Sequence, residues 1–341
     1  MKICIISNSG AWGPIHTIYH ALDKYSDHDV SVLLKINDPY GFSDMCSSFS
    51  LFYHRHKELS IKAIIEADSL FIIGLTALTS FLPGICKSRF WRKYKIKDPV
   101  EYIKSKKIIY FAACSRLLKE NTIVNNIYSQ WSIDVFFHAI DLKDYVKIRS
   151  EKIFPYVPPM SLEYYELLNG GNRADAGEIV LAHSPGCKFD SKDDVKGTRF
   201  IRTCFDNLVK RYSGLSYKII HGVDHRECIK IKHSCDIFVD QIIDDSLYNI
   251  QPSYLGGQGK SGIEAMALGC LTMTSYRDLN SEPFFENTPI IKVNKNNLEE
   301  TLEKFIVDNN LRLNMAKKQK EWVDRYLSEE FFASYILKQI G

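Results

Sequence analysis

Short apolar runs alternate with longer amphipathic stretches along the first 140 residues. Each run has the length and composition of a buried parallel strand. The strand-like runs are KICIIS, DVSVLL, SLFIIGL and KIIYFAA. Between them, stretches such as GPIHTIYHALDKY and HKELSIKAIIEA have the spacing of amphipathic helices. This alternation predicts an α/β fold, with a parallel sheet covered by helices on both faces.

The pattern breaks between residues 141 and 177, where prolines and glycines interrupt the periodic runs, and we place the interdomain region here. A second alternation of strands and helices follows. Its predicted strands are EIVLAHS, YKIIHG, DIFVDQ, CLTMTS and PIIKV. The chain then ends in a long helical stretch. With 341 residues, two domains are expected: an N-terminal Rossmann-like domain over 1–145 and a second over 146–320.

Composition indicates a globular, cytoplasmic protein. Hydrophobic residues make up 45% and charged residues 25% of the chain, and no apolar run approaches the roughly 18 residues of a membrane span. The nine cysteines form no CxxC pair, which is typical of reduced thiols. No metal-ligand spacing occurs, so we expect no metal site.

Positive charge is concentrated in one segment. Residues 87–107 contain nine basic and two acidic residues, although the net charge of the whole chain is only +3. Three interpretations remain open: a solvated surface, a patch at a membrane surface, or a contact with nucleic acid. The residues predicted to contact an acceptor or polyanion are Arg89, Trp91, Arg92, Lys93 and Lys95.

The stretch GGQGKSGIEAMALG, residues 256–269, places glycine-rich turns directly before a helix. Glycines let the backbone approach a ligand closely, and the unpaired N–H groups of a helix start attract phosphate. Tyr254 stands where a P-loop requires glycine, so this is not a P-loop. The alternative is a helix entered through a flexible loop. The predicted phosphate-binding or sugar-binding residues here are Gly257, Gln258, Gly259, Lys260, Ser261 and Glu264.

These segments resemble the family 4 glycosyltransferases, which have the GT-B fold. DIFVDQ, a glycine-rich loop and then EAMALGCLTM resemble the donor-site signature of that family. Three further segments resemble segments of the family and occur in the same order along the chain: NSGAWGP, VFFHAIDLKDY, and LAHSPG with VKGT. The resemblance covers the whole chain. It implies two Rossmann-like domains facing a cleft, with a crossover helix over 321–341 returning to the N-terminal domain.

The resemblance also implies roles for individual residues. Glu264 matches the second glutamate of the E-x7-E motif, which holds the donor ribose, whereas Gly256 replaces the first glutamate. Lys196 matches the phosphate-binding lysine. The arginine expected five residues earlier is replaced by Ser191, for which Lys188 or Lys192 is a substitute.

Other candidates come from their position at the ends of strands. Asp240 and Gln241 follow a predicted strand at the carboxyl edge of the sheet, where doubly wound folds bind ligands. His183 ends the first strand of the second domain, near the expected diphosphate. Gly10 belongs to the N-terminal glycine-rich loop, and we include it in the donor site.

His16 and His138 are the candidate catalytic residues. Inverting GT-B enzymes often have a histidine base near the start of the first helix, where His16 lies, and His138 precedes Asp141 at the expected cleft. Each is equally compatible with a structural histidine. Family 4 is retaining, so the resemblance implies that the anomeric configuration is kept without a dedicated base.

The predicted function is transfer of a sugar from a nucleotide-sugar, UDP- or GDP-linked, to an acceptor hydroxyl, without metal or cofactor. The leading acceptor is a cell-surface or lipid-linked glycan, and the enzyme would then be peripheral on the inner face of the membrane. The alternatives are a nucleic-acid acceptor, as in viral DNA-modifying enzymes, and a non-catalytic sugar-nucleotide binder or an epimerase.

Overall fold

The computed structural model describes most of the chain. The described residues are 1–9, 14–36, 50–53, 55–74, 77–112, 131–139, 152–156, 160, 177–185, 194, 196–243, 259–275 and 288–341. They fall into two compact units. Unit 1 comprises Met1–Pro159 and Glu329–Gly341, and unit 2 comprises Met160–Ser328.

Unit 1 is built on a seven-stranded parallel sheet of order β3-β2-β1-β4-β5-β6-β7. Its strands are β1 Lys2–Ser9, β2 Asp29–Ile36, β3 Ser50–Phe52, β4 Ser69–Ile73, β5 Lys107–Ala112, β6 Val135–Ala139 and β7 Ile153–Tyr156. Its α-helices are α1 Pro14–Tyr25, α2 Lys57–Glu66, α3 Leu82–Cys86 and α4 Pro99–Lys104. A π-helix over Ala77–Phe81 and a 3-10 helix over Arg89–Tyr94 flank α3.

Unit 2 is built on a five-stranded parallel sheet of order β12-β11-β10-β8-β9. Its strands are β8 Ile179–His183, β9 Leu215–Ile219, β10 Ile237–Val239, β11 Leu271–Thr274 and β12 Ile291–Lys292. Its helices are α5 Thr198–Arg211, α6 His225–His233, α7 Lys260–Ala267, α8 Leu298–Val307 and α9 Asn309–Tyr326. A last helix, α10, spans Glu329–Ile340 and belongs to unit 1.

The apolar patterns predicted the central strands of both sheets, and the structure confirms the parallel arrangement. Each sheet buries apolar side chains on both faces, which is why its strands read as nearly continuous hydrophobic runs. In unit 1, Phe71, Phe111 and Phe137 pack in sequence across three neighbouring strands. In unit 2, Leu181, Ile237 and Leu271 occupy paired positions on three neighbouring strands of the core.

The boundaries of the units differ from those predicted. The division falls at 159/160 and 328/329, whereas the sequence suggested 145/146 and 320/321. The sequence places the interdomain region between residues 141 and 177 because of its prolines and glycines, yet Ile153–Tyr156 within it forms β7 and pairs with β6. Pro155 is tolerated there because β7 is an edge strand, where a missing N–H does not interrupt the sheet.

The returning helix is shorter than predicted. Trp322 lies in α9 of unit 2, and only the chain from Glu329 onward belongs to unit 1. There α10 packs against α1 and buries Phe332, Ile336 and Ile340 in the core of unit 1. The C-terminal residues therefore complete the N-terminal core.

Candidate functional site

Asp240 lies at the centre of the unit 2 site. It follows β10 directly, and its side chain is fully buried. Its Oδ2 accepts a hydrogen bond of 3.0 Å from the backbone N–H of Gly259, the residue that caps α7. A Cβ atom added at Gly259 would lie 2.4 Å from that oxygen. Gly259 therefore lets the N-terminus of α7 approach the strand end closely.

Lys196 reaches the same carboxylate from the other side. Its Nζ lies 3.0 Å from Oδ1 of Asp240. The following residue, Gly197, has φ of +67°, and a Cβ atom there would lie 2.2 Å from the carbonyl oxygen of Ile242. The N–H of Ile242 in turn donates to the carbonyl of Lys196 at 2.9 Å. The Lys196–Gly197 turn is thus pinned against the segment after β10, and the ammonium group is fixed beside the start of α7.

Glu264 lies one turn further along α7, in a cluster of basic side chains. Its Oε2 is 2.6 Å from Nζ of Lys232, and its Oε1 is 2.9 Å from Nε2 of His225 and 3.9 Å from Nζ of Lys260. Burial alone would raise the pKa of Glu264, but Lys232, His225 and Lys260 hold it well below its usual value. Glu264 is therefore ionised at neutral pH.

His225 and Lys232 were not among the sequence candidates. Both lie on α6, which packs against α7. Lys232 is only 1% exposed, although it lies in the polar stretch ECIKIKHS. The only sequence signal was its spacing of three from Ile229, which places both side chains on the buried face of α6.

His183 has a structural role and does not make the predicted contact with the donor nucleotide. It is fully buried, its Nδ1 donates to the carbonyl of Val239 at 2.8 Å, and its Nε2 lies 3.0 Å from the hydroxyl of Thr198. Burial lowers its pKa to about 4, so the ring is neutral. With both nitrogens bonded inside the protein, His183 joins β8, β10 and the start of α5, and we correct the prediction accordingly.

Gln241 and Ser261 complete the described part of the site. Gln241 is buried, and its Nε2 donates to the carbonyl of Ser275 at 3.3 Å, so it extends the contact between β10 and β11. Ser261 lies in the first turn of α7, and within the described residues its buried Oγ has no hydrogen-bond partner. An unsatisfied hydroxyl at a helix start is available to a ligand.

Several candidates lie wholly or partly outside the described residues. Gly10, Gly257 and Gln258 do so entirely. His16 is in the first turn of α1, and His138 is the fourth residue of β6, but their side chains are outside the described part. Their predicted catalytic roles stay predictions.

The basic segment of unit 1 is anchored by an aromatic residue. Trp91 is 1% exposed, its indole N–H donates to the carbonyl of Ile85 at 2.9 Å, and its ring packs on that of Tyr102. The prediction that Trp91 contacts an acceptor or lies at a lipid headgroup is therefore wrong, because its ring belongs to the core. Lys93 forms an ion pair with Glu58 at the start of α2.

The remaining cations of this segment face solvent. Arg89, Arg92 and Lys95 are exposed, and no carboxylate of the described residues lies within ion-pair distance of them. The buried Trp91 fixes the 3-10 helix that carries two of them, so this row of cations, which we call the cation row, has a defined position. Such a row suits a polyanion.

Two further features concern membranes and metals. Among the helices that the structure describes, none is both long and apolar enough to cross a bilayer. The described His, Cys, Asp and Glu side chains form no group of three that would hold a metal ion.

No protein-family model matches the chain, and no curated protein matches it. Solved structures match along its whole length. An α-glucosyltransferase in complex with UDP and a 13-mer DNA containing an HMU base has 14% identity and a TM-score of 0.65, covering 100% of this chain and 99% of its own. A putative UDP-N-acetylglucosamine 2-epimerase from Listeria monocytogenes has 11% identity and a TM-score of 0.59, covering 99% and 95%.

Sucrose-phosphate synthase from Thermosynechococcus elongatus matches in the same way, with 12% identity, a TM-score of 0.56 and coverage of 100% and 98%. At such identities the likeness shows the fold. The chain has the GT-B fold, which confirms the fold predicted from the sequence.

Proposed function

We propose that this chain is a glycosyltransferase that moves a sugar from a nucleoside-diphosphate sugar to an acceptor hydroxyl. The observation that carries the proposal is the convergence of Lys196 and the N-terminus of α7 on Asp240. A helix start and a fixed ammonium group stabilise the negative charge that develops on a leaving diphosphate. The hydroxyl of Ser261 adds a further donor at the same place.

Cations outnumber carboxylates among the ion pairs of this site, which supports an anionic ligand. Lys196, Lys232 and Lys260 form ion pairs with two carboxylates, those of Asp240 and Glu264. The first N–H groups of α7 add partial positive charge. UDP is the favoured nucleotide, because the matching structures include complexes with UDP and with UDP-glucose.

Kinship with family 4 is part of the proposal and implies a retained anomeric configuration. It is supported by the position of EAMALG in α7 and of Lys196–Gly197 before α5, where the family has its donor signature and its phosphate-binding pair. NMR analysis of the product's anomeric carbon tests this inference. An inverted product, together with loss of activity in His16→Ala, would assign His16 as a base and overturn the retaining mechanism.

For the acceptor we propose a hydroxyl group on nucleic acid. The cation row of unit 1 suits a polyanion, and several matching α-glucosyltransferase structures are complexes with DNA. A phosphate backbone would contact Arg89, Arg92 and Lys95, each of which releases about one counterion. The carbohydrate acceptor predicted from the sequence is the alternative outcome of the acceptor assay below.

The donor site is tested by a thermal-shift screen with UDP, GDP, ADP and CMP. At about 100 times its Kd a ligand adds roughly 2.7 kcal/mol of stability, which is easily measured. We expect UDP to stabilise the wild-type protein, Lys196→Met to lose most of that shift, and Lys210→Met to keep it. Lys210 is an exposed residue near the end of α5 and serves as the matched control. No shift with any nucleotide would refute the proposal.

The acceptor is tested by incubating the enzyme and UDP-glucose with duplex DNA that does or does not contain a hydroxymethylated base. Sugar transfer only to the modified duplex is expected. In DNA-binding assays, replacing Arg89, Arg92 and Lys95 by alanine should make the slope of log K against log salt concentration shallower by roughly 3. Each phosphate contact contributes about 0.9 to that slope. Alanine replacements of the exposed Lys317 and Lys318 in unit 2 are the control. Transfer to glycan acceptors instead would exclude nucleic acid.

A second candidate function is epimerisation of the sugar nucleotide. The specific observation is the match to UDP-N-acetylglucosamine 2-epimerases at TM-scores of 0.59 and 0.54. Incubation with UDP-N-acetylglucosamine alone, followed by NMR of the sugar, separates the two activities. A new epimer without any acceptor would favour the epimerase over the transferase.

A further inference from the structure

The carboxylate of Glu264 has each of its oxygens assigned to a different side chain of α6. Oε2 accepts from Lys232 at 2.6 Å, and Oε1 accepts from His225 at 2.9 Å. Because an ionised carboxylate offers about four lone-pair directions, two such bonds do not exhaust it. They do fix the plane of the carboxylate, which is otherwise free to rotate at the end of the side chain.

The two oxygens have different surroundings. The partner of Oε2, Lys232, is 1% exposed and lies over the ring of Phe238. The neighbours of Oε1 are His225, which is 15% exposed, and Lys260, which is 27% exposed and stands in the first turn of α7. Oε2 therefore faces the interior of unit 2, whereas Oε1 faces the side on which the start of α7 lies.

We propose that His225 and Lys232 are positioning residues that hold Glu264 in the orientation needed to accept hydrogen bonds from the ribose hydroxyls of the donor nucleotide. Lys232 anchors the inner oxygen, and His225 sets the direction of the outer one. Together they make the site select ribonucleotides over deoxyribonucleotides. This inference rests on the proposed function, since it concerns the same nucleotide.

The geometry indicates what happens when His225 loses its N–H donor. The other ion pair of Oε1 is with Lys260, whose Nζ lies 3.9 Å away and beyond hydrogen-bond distance. The carboxylate then turns toward Lys260 and away from the ribose. Selectivity for the hydroxyl is lost, while the phosphate contacts at Lys196 and α7 remain, because they involve Asp240 and not Glu264.

The experiment compares the Kd of UDP with those of 2′-deoxy-UDP and 3′-deoxy-UDP by calorimetry, with pyrophosphate as a probe of the phosphate contacts alone. A hydrogen bond to a charged group predicts a preference of about tenfold or more for UDP in the wild-type protein. We expect His225→Leu and Lys232→Met to reduce that preference to about twofold or less, and His225→Leu to leave pyrophosphate binding unchanged. His225→Gln keeps an N–H donor and should retain most of the preference.

The matched control is His233→Leu, at the opposite end of α6, which should preserve the preference for UDP. If Lys232→Met fails to fold, the three histidine variants decide alone. Equal weakening of UDP and both deoxynucleotides by His225→Leu would show a merely structural role and overturn the inference. So would a wild-type protein that binds UDP without any preference, although the proposed function would then stand. Absence of binding by all nucleotides would refute the proposed function itself.

Discussion

The two units share one architecture but place their charges differently. Each has a parallel sheet with helices packed against it, yet unit 2 buries the charged side chains of Lys232, Asp240, Glu264 and Arg312, whereas in the described part of unit 1 Glu329 is the only buried charged residue. Buried charges must be paired and held in place, so they form a preorganised site. Exposed cations, such as those of unit 1, instead suit a large partner that supplies its own geometry.

Two lysine–glutamate pairs make this difference measurable. Lys232–Glu264 is almost fully buried in unit 2, and Lys93–Glu58 is exposed in unit 1. Burial alone would lower the pKa of Lys232, but Glu264 together with Cys228 and Asp240 more than offsets this and the pKa is raised. Lys232 and Glu264 are therefore both charged at neutral pH. The two lysine–glutamate pairs have the same chemistry, and they differ in how far the surrounding protein buries them.

The largest expected effect is that of Lys232→Met. Removing one partner of a buried ion pair leaves an uncompensated charge, and we expect the free energy of unfolding to fall by about 3–5 kcal/mol. Lys93→Met should cause no measurable change, because water screens an exposed pair. Urea unfolding of both variants gives the comparison. Equal losses of unfolding free energy in the two variants would contradict the difference that the burial of the two pairs indicates.

The next effect is a loss of stability at acid pH caused by His183. Because its pKa is about 4 in the folded protein against 6.5 for an unperturbed histidine, the unfolded chain binds a proton between these values that the folded chain does not. His183 therefore contributes to the free energy of unfolding at neutral pH. This contribution, about 3 kcal/mol in total, is lost as the pH falls from 6.5 to 4.

The measurement is urea unfolding of the wild-type protein and of His183→Asn at pH 7.0, 5.5 and 4.5. Asparagine does not titrate, so the difference in unfolding free energy between the two proteins should shrink as the pH is lowered. The described histidines of unit 1 include the exposed His56, and His56→Asn serves as the matched control at a side chain that is not buried. A constant difference between wild type and His183→Asn at all three pH values would contradict the assignment.

A smaller effect is expected at Gly197, where the backbone and its surroundings both require glycine. Gly197→Ala introduces left-handed strain and a contact of 2.2 Å with the carbonyl of Ile242, and should cost about 2 kcal/mol or more. Gly222 has φ of +72° but open space around it, so Gly222→Ala should cost only about 1 kcal/mol. Thermal unfolding measures the loss of stability in both variants. A UDP titration of Gly197→Ala shows whether moving the Lys196–Gly197 turn also weakens nucleotide binding.

Sequence patterns identified the scaffold of both units better than the chemistry built on it. The central strands were predictable because they are buried on both faces, and Asp240 because it follows a strand at the carboxyl edge of the sheet. Lys196 was predicted from the resemblance of VKGT to the lysine-glycine pair of the family. Lys232 was missed because a lysine between Ile231 and His233 has the same local pattern whether it faces water or Glu264, which is 32 residues away. Trp91 was misassigned for the corresponding reason, since a basic neighbourhood does not reveal that the ring itself is buried.

The smallest effect concerns Lys95 of unit 1, where stability and binding should change in opposite directions. Lys95 has φ of +59°, a left-handed conformation that glycine adopts without strain, so Lys95→Gly should stabilise the protein by up to about 1 kcal/mol. Loss of one exposed cation should at the same time reduce the salt dependence of log K for DNA by about 0.9. Ser132→Gly, at φ of +51°, is the control that relieves strain without removing charge. If Lys95→Gly gains stability and its binding to DNA keeps the full salt dependence, the cation row does not contact the acceptor. Unit 1 would then not bind a polyanion through these residues, and its contrast with the preorganised site of unit 2 would not hold.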